Sequence, residues 1–344
     1  MALDERPFSL ALLGATGAVG RAVLEVLEDA DVPVSELRLL ASERSAGEAL
    51  DFQGDALPVR TVAEGAFRGC DVAILAAGEE AARTWAPRAR AEGCLVVDGS
   101  AAFRSDPEVP LIAAAVNHEA LDGAARGLVA SPDPLALALA AVARPLEAAA
   151  GLARVVAVAL EAASGAGRAG ESALERQAAD LMNGREPEGS APFPHRLAYN
   201  LLPLVGPAGA DGIAVHEARL AGELRRLLGL PGLAVGATAV QVPVFHGHAA
   251  AVHLALRRPL SPEAAREALR AAPGVKVLDQ PSEGVYPMPQ LALNDDAVLV
   301  GRLRADAALE HGLALFLALD NLRAGGATNL VRLARLLARR RPVA

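Results

Sequence analysis

The chain has 344 residues, 52% of them hydrophobic and 22% charged, with a formal net charge of −8, enough apolar material for about two domain cores. An acidic balance without a basic block excludes nucleic acid and anionic membrane as main partners. Two cysteines, Cys70 and Cys94, are too few for a disulfide framework; with the polar, acidic start Met1-Ala2-Leu3-Asp4-Glu5, they lead us to expect a cytoplasmic protein without a signal peptide.

In chain order, Phe8–Leu13 reads as a short apolar strand running into Gly14-Ala15-Thr16-Gly17-Ala18-Val19-Gly20. A helical pattern follows, with Val23, Leu24 and Leu27 on one face. A glycine-rich turn between strand and helix aims backbone N–H groups at the helix N-terminus, where the dipole favours a pyrophosphate. Gly14 allows the tight turn, Gly17 lets phosphate approach and Gly20 lets helix and strand pack, so Gly14, Thr16, Gly17, Ala18 and Val19 form a candidate dinucleotide cradle. An ordinary tight turn is the alternative.

Leu37–Leu40, Val72–Leu75 and Leu95–Val97 read as further buried strands with helical stretches between them, the pattern of a doubly wound parallel sheet. After the second strand, Ser42-Glu43-Arg44-Ser45 sets two hydroxyls and an Arg where a free ribose 2′-OH would call for a carboxylate. Ser42, Arg44 and Ser45 suit a 2′-phosphate and favour NADP over NAD; a solvated loop is the alternative. Ala77 and Gly78 close the third strand with small side chains that fit along a cofactor. The apolar runs Leu135–Val142 and Leu313–Leu319 fall short of the ~18 residues that span a bilayer, so no membrane partner is expected.

From about residue 151 the pattern changes. Val155–Leu160, Leu233–Val244, Ala250–Leu256 and Ala297–Leu303 read as strands of a mixed sheet. Glu171–Leu181, Glu217–Leu228 and Ser261–Ala271 read as helices, with a last helix over about Leu322–Arg339. Gly184–Gly212, rich in Pro and Gly, reads as an irregular excursion. The expected fold is α/β: a Rossmann-type doubly wound parallel sheet plus an α+β domain with a mixed sheet, and no metal site.

With these pieces placed, the chain resembles the aspartate-β-semialdehyde dehydrogenase family over nearly its whole length. The resemblance is carried by Gly14–Gly20, Leu40-Ala41-Ser42-Glu43-Arg44-Ser45-Ala46-Gly47, Val97-Asp98-Gly99-Ser100-Ala101-Ala102-Phe103-Arg104 and Ala115-Val116-Asn117. It continues through Ser164-Gly165-Ala166-Gly167, Ala198-Tyr199-Asn200-Leu201-Leu202-Pro203, Val242-Pro243-Val244-Phe245-His246-Gly247-His248 and Asp320–Asn329.

The resemblance implies a cofactor domain over residues 1–134 and 318–344 and a substrate and dimerisation domain over 135–317, hence a homodimer. It also implies reduction of aspartyl phosphate by NADPH through a thioester on Cys. It assigns the acid–base role to His248, phosphate and substrate contacts to Arg104, Asn117, Glu217 and Arg219, and further cofactor contacts to Ser164, Gly165 and Asn321.

The departures cluster at the chemistry. Where the family reads Asn-Pro-Asn-Cys-Ser-Thr this chain reads Ser131-Pro132-Asp133-Pro134-Leu135-Ala136, so Pro134, without a nucleophile or an N–H, stands at the Cys position. Gln241 stands where the family clamps the substrate carboxylate with Arg, and Glu161 where it carries Gln. Cys70 and Cys94 lie at the wrong ends of their strands to take over, and Ser131 has no paired base.

The expectation is therefore a paralogue of the Usg type that keeps fold, dimer and nucleotide site but not the thioester chemistry, with a role in regulation, nucleotide sensing or binding an unidentified protein partner. The alternative is an NADPH-dependent carbonyl reductase that forms no covalent adduct, with Glu161 and His248 as its acid–base pair. A fully active dehydrogenase and a scaffold that binds no nucleotide are the remaining readings.

Overall fold

Phe8–Leu13, five apolar residues and Ser9, are all buried and form the central strand β1 of the first sheet. The computed structural model describes residues 6–340 apart from Ala46 and Ala125. Ala46 of the second-strand motif, the first five residues and the last four lie outside them. The described residues divide into two compact units, one running to Pro132 and resuming at Gly326, the other spanning Asp133–Gly325.

In the first unit β1 is joined by β2 (Val34–Ala41), β3 (Ala49–Phe52), β4 (Asp55–Thr61), β5 (Val72–Leu75), β6 (Leu95–Asp98) and β7 (Leu128–Ala130) in the order β3-β4-β2-β1-β5-β6-β7. Every pairing is parallel except β3 with β4. Helix α1 (Ala18–Asp29) follows β1 and buries Val23, Leu24 and Leu27. Helix α2 (Glu79–Ala91) follows β5, and the C-terminal helix Thr328–Arg339 packs on β5 and β6.

One expected helical crossover is absent, and the strand β7 was not foreseen. Between β2 and β5 the chain makes an antiparallel hairpin: Leu50 and Phe52 alternate with exposed neighbours, a strand period, and Gln53 and Gly54 both take positive φ in a two-residue turn. Between β6 and β7 the chain is irregular apart from a 3-10 segment, His118–Gly123.

The second unit opens with α3 (Pro134–Ala150), whose Leu- and Ala-rich faces are buried nearly all round. A six-stranded sheet follows, built of β8 (Leu152–Glu161), β9 (Ala234–Gln241), β10 (His248–Leu256), β11 (Val275–Val277), β12 (Val298–Asp306) and β13 (Gly312–Leu319) in the order β11-β12-β13-β10-β8-β9. It is mixed: β8–β9 and β11–β12 are parallel, the rest antiparallel.

Helix α4 (Gly167–Met182) runs from the end of β8 into the irregular stretch before α5 (Val215–Leu228). Helices α3, α5 and α6 (Pro262–Arg270) pack together and on the sheet, and the short α7 (Pro289–Ala292) contacts β13. The last helix begins later than its pattern predicts. Arg323–Ala327 forms a π-turn, and Asp320 Oδ1 caps it by accepting the N–H groups of Leu322 and Arg323. Glycines at 325 and 326 weaken the α pattern there.

Candidate active site

In the first unit the glycine-rich turn is fixed by sterics. Gly14 has φ +90, and a Cβ on it would stand 2.5 Å from the Ala76 carbonyl oxygen; a Cβ on Gly20 would stand 2.1 Å from the Gly14 carbonyl oxygen. Only glycine lets α1 start this close to β1 and β5. The N-cap of α1 is Gly17, with no side chain to engage the first turn, so the N–H groups about Ala18 and Val19 remain available to an anion beside Thr16.

Ser42 and the 3-10 turn Glu43–Ser45 follow β2, with Ser45 N–H donating to the Ser42 carbonyl at 3.0 Å. Ala77 and Gly78, the latter with φ +87, follow β5 and lead into α2. All three segments lie at the carboxyl ends of adjacent parallel strands, where α/β sheets bind dinucleotides.

Arg104 follows β6. Its Nε donates to the Ser131 carbonyl and one terminal nitrogen to the Gly99 carbonyl, each at 3.0 Å. Nearby Asp98 is fully buried, and burial raises its pKa despite the hydrogen bonds from Ser100 that work the other way. Asn117, expected at the substrate, has its amide taken by its own loop: Oδ1 accepts from Ala113 N–H at 2.9 Å and Nδ2 donates to the Leu111 carbonyl at 3.0 Å. That brace holds the irregular connection between β6 and β7. Asn329 does the same work from the C-terminal helix, donating to the Ile112 carbonyl and to Ser131 Oγ.

In the second unit Asp133 caps α3, its carboxylate accepting from Leu135 N–H at 2.9 Å, while its own N–H donates to Glu223 Oε2 at 2.7 Å. Pro134 is the first residue of the helix, a position that needs no N–H and fits proline's fixed φ. It is tightly packed: a Cβ on Gly325 would lie 2.5 Å from the Pro134 Cβ.

Glu161 ends β8 and His248 begins β10, brought side by side by the antiparallel register that pairs Leu160 with Ala249. Both are buried, at 6% and 4% exposed. The Nδ1 of His248 accepts from Ala162 N–H at 3.1 Å, which fixes the neutral tautomer with hydrogen on Nε2. Burial lowers its pKa, although the charges of Glu161 and Asp133 pull upward. Ser164 Oγ donates to Asn321 Oδ1 at 3.1 Å, and the same oxygen accepts from Gly247 N–H at 3.0 Å. Gly165 stands beside His248: a Cβ there would be 3.3 Å from His248 Nε2 and 3.8 Å from Glu161 Oε2.

Two expected residues on α5 and β9 are otherwise engaged. Glu217 has both oxygens on backbone, accepting from Ala214 N–H and Ala239 N–H at 2.9 Å each. Gln241 is buried, and its Nε2 donates to the Glu161 carbonyl at 2.8 Å. Arg219 is exposed on α5.

The residue that meets the site is one the motifs missed. His216 Nε2 stands 2.6 Å from Glu161 Oε1, an ion-pair contact off the line of a straight N–H···O bond. Burial works against the imidazolium, but the contact with Glu161 and the charges of Asp133 and Glu223 outweigh it and push the His216 pKa up to about 9. The signal was present in the sequence as a histidine in the first turn of a helix, next to the glutamate chosen instead. Among the described residues no group of three or more His, Cys, Asp or Glu side chains could hold a metal ion.

A mostly parallel sheet with a glycine cradle, joined in sequence to a mixed-sheet unit, is the two-domain arrangement of the semialdehyde dehydrogenases. Residues 9–124 match the family model for the NAD-binding domain of semialdehyde dehydrogenases, and residues 144–324 match that for their dimerisation domain. Aspartate-semialdehyde dehydrogenase of Aquifex aeolicus is 39% identical, covering 96% of this chain and 98% of that protein. The Synechocystis enzyme of the same name is 38% identical over 97% and 98%.

Among solved structures, aspartate semialdehyde dehydrogenase II from Vibrio cholerae superposes with a TM-score of 0.94 at 36% identity, covering 97% of this chain and 99% of that one. The chain belongs to the aspartate-semialdehyde dehydrogenase family.

Proposed function

We propose that this chain is a family member of the Usg type that binds a nicotinamide dinucleotide and dimerises but does not run the phosphorylating, thioester-forming reaction named for its relatives. The observation that carries this reading is Pro134 at the family's cysteine position, locked as the first residue of α3 and packed against Gly325. No thiol elsewhere replaces it. Cys70 and Cys94 are 1% and 3% exposed, burial raises the Cys70 pKa, and Cys94 Sγ lies 3.1 Å from both the Phe67 and Cys70 carbonyls, which share its one S–H. Thiols buried in this way lack the access that a nucleophile needs.

The cradle fits a dinucleotide: Gly14, Gly17, Ala18 and Val19 would hold the pyrophosphate, and Ser42, Arg44 and Ser45 a 2′-phosphate, which favours NADP. When bound, the nicotinamide supplies or accepts hydride. In the second unit Gln241 offers no positive charge for a substrate carboxylate, and Glu161 adds a negative one. Purified protein should show no phosphate-dependent NADP reduction with aspartate semialdehyde, and no acyl adduct by mass spectrometry; turnover above background or an adduct overturns the reading. Calorimetry with NADPH tests the nucleotide site separately.

A second reading, a carbonyl reductase without a covalent intermediate, is favoured by His248. Its Nε2–H has no hydrogen-bond partner among the described residues and could polarise a carbonyl oxygen. NADPH oxidation against neutral aldehydes tests it, and silence across the set removes it. An unidentified protein partner remains part of the first reading, tested by NADPH titration in its presence.

A further inference from the structure

We infer that the open face of the six-stranded sheet, centred on Val156 and Val158 of β8, is where a second copy of this chain docks. The inference rests on the dimer in the reading above and deepens it by naming the surface.

The sequence of β8 departs from that of a strand with one side in water. Such a strand alternates apolar and polar residues, whereas Val155-Val156-Ala157-Val158-Ala159-Leu160 is apolar throughout. Val155, Ala157 and Ala159 are at most 1% exposed, in a sheet on which α3 and α5 pack. Val156 and Val158 point the other way and are left 39% and 38% exposed. Register carries this surface onto both neighbouring strands. On β9 the exposed Gly236 and Thr238 lie beside Val156 and Val158, and on β10 the half-buried His253 and Ala251 do the same. Toward the Leu160 end the face is closed by α7, whose Ala292 packs with Ala249, Leu299 and Ala318. The chain thus covers one corner of this face and leaves its middle bare.

Three features make a second copy the occupant. Among the described residues, every exposed large apolar side chain lies between Val156 and Leu293, inside the second unit. That unit also contains the match to the dimerisation-domain model, residues 144–324. Second, the middle of the face sets no like charges against each other. Its ionisable pair is matched within one copy, His253 Nδ1 lying 2.6 Å from Asp306 Oδ2, and Arg154 stands toward the start of β8. Third, Gly236, Thr238 and Ala251 are small, so two such faces related by a two-fold axis can approach to the ~10 Å of packed sheets.

The test is sedimentation of the full chain, which should be a dimer. Val158→Arg places an unmatched charge on the face and should weaken the dimer at least about a hundredfold, with the circular dichroism spectrum unchanged. Val156→Cys and Val158→Cys, each treated with a bismaleimide spanning about 10 Å, should give covalent dimers. The wild-type chain should give none, because Cys70 and Cys94 are buried. If Val158→Arg fails to fold, the cysteine variants decide alone. A dimer that survives Val158→Arg intact, or that cross-links at neither cysteine, overturns the inference and leaves the dimer reading standing. A monomeric wild-type chain overturns both, so the two failures are distinguishable.

Discussion

His216 and Glu161, from the first turn of α5 and the last residue of β8, face each other at 2.6 Å within a largely buried setting. The contact makes a cation of a histidine that the motifs passed over. It also gives the glutamate at the end of β8 a counter-ion, so a carboxylate can persist beside neutral His248.

Stability should therefore have a basic limb and an acidic one. The folded pKa of His216, about 9, lies above the ordinary value of 6.5. Its stabilisation is thus fully present below pH 6.5 and lost as pH rises through about 9, on the order of 1–3 kcal/mol. His248 is shifted the opposite way, so it destabilises the fold as pH falls below 6.5. Urea unfolding across pH 5–10 should show its maximum near pH 6.5, and His216→Gln should abolish the basic limb.

Pro134→Cys restores a thiol without restoring chemistry. Loss of the proline at the start of α3 should destabilise the fold by about 0.5–1 kcal/mol. The new thiol should be alkylated by iodoacetamide, yet no acyl adduct should form with aspartate semialdehyde and phosphate, because Gln241 and Glu161 still oppose the anionic substrate.

Cys70 and Cys94 should be silent toward Ellman's reagent in the native protein and react fully in guanidinium, since both are buried. Rapid native labelling of either would show access that the structure does not provide.

Gly20→Ala drives a methyl group to within 2.1 Å of the Gly14 carbonyl oxygen. We expect a loss of about 3 kcal/mol or more in thermal unfolding, together with loss of NADPH binding by calorimetry, because the same turn positions the N-terminus of α1.

Glu217→Ala should act on stability alone. It strips acceptors from Ala214 and Ala239, a loss of about 1–2 kcal/mol by urea titration. The basic limb of the pH–stability profile should be unchanged, since the side chain that meets the Glu161 carboxylate is His216.

Local pattern carried much of this architecture. Phe8–Leu13, with one serine, and Val72–Leu75 are strands because short, largely apolar runs suit a sheet buried on both faces, and the glycine turn between strand and helix is written in adjacent residues. The hairpin Ala49–Thr61 was missed because its alternation is short and partly polar.

The site is another matter. Glu217 and His216 are neighbours in sequence, but one helical residue turns a side chain by about 100°, and only the docking of α5 on β9 decides which of them reaches Glu161. Likewise Asn117 and Gln241 carry amides fit for a ligand, yet both are held by backbone groups that only the folded chain brings near. Residue types and local periods are properties of a stretch of chain. Which donor meets which acceptor depends on long-range register and packing, and that was decided by the tertiary structure.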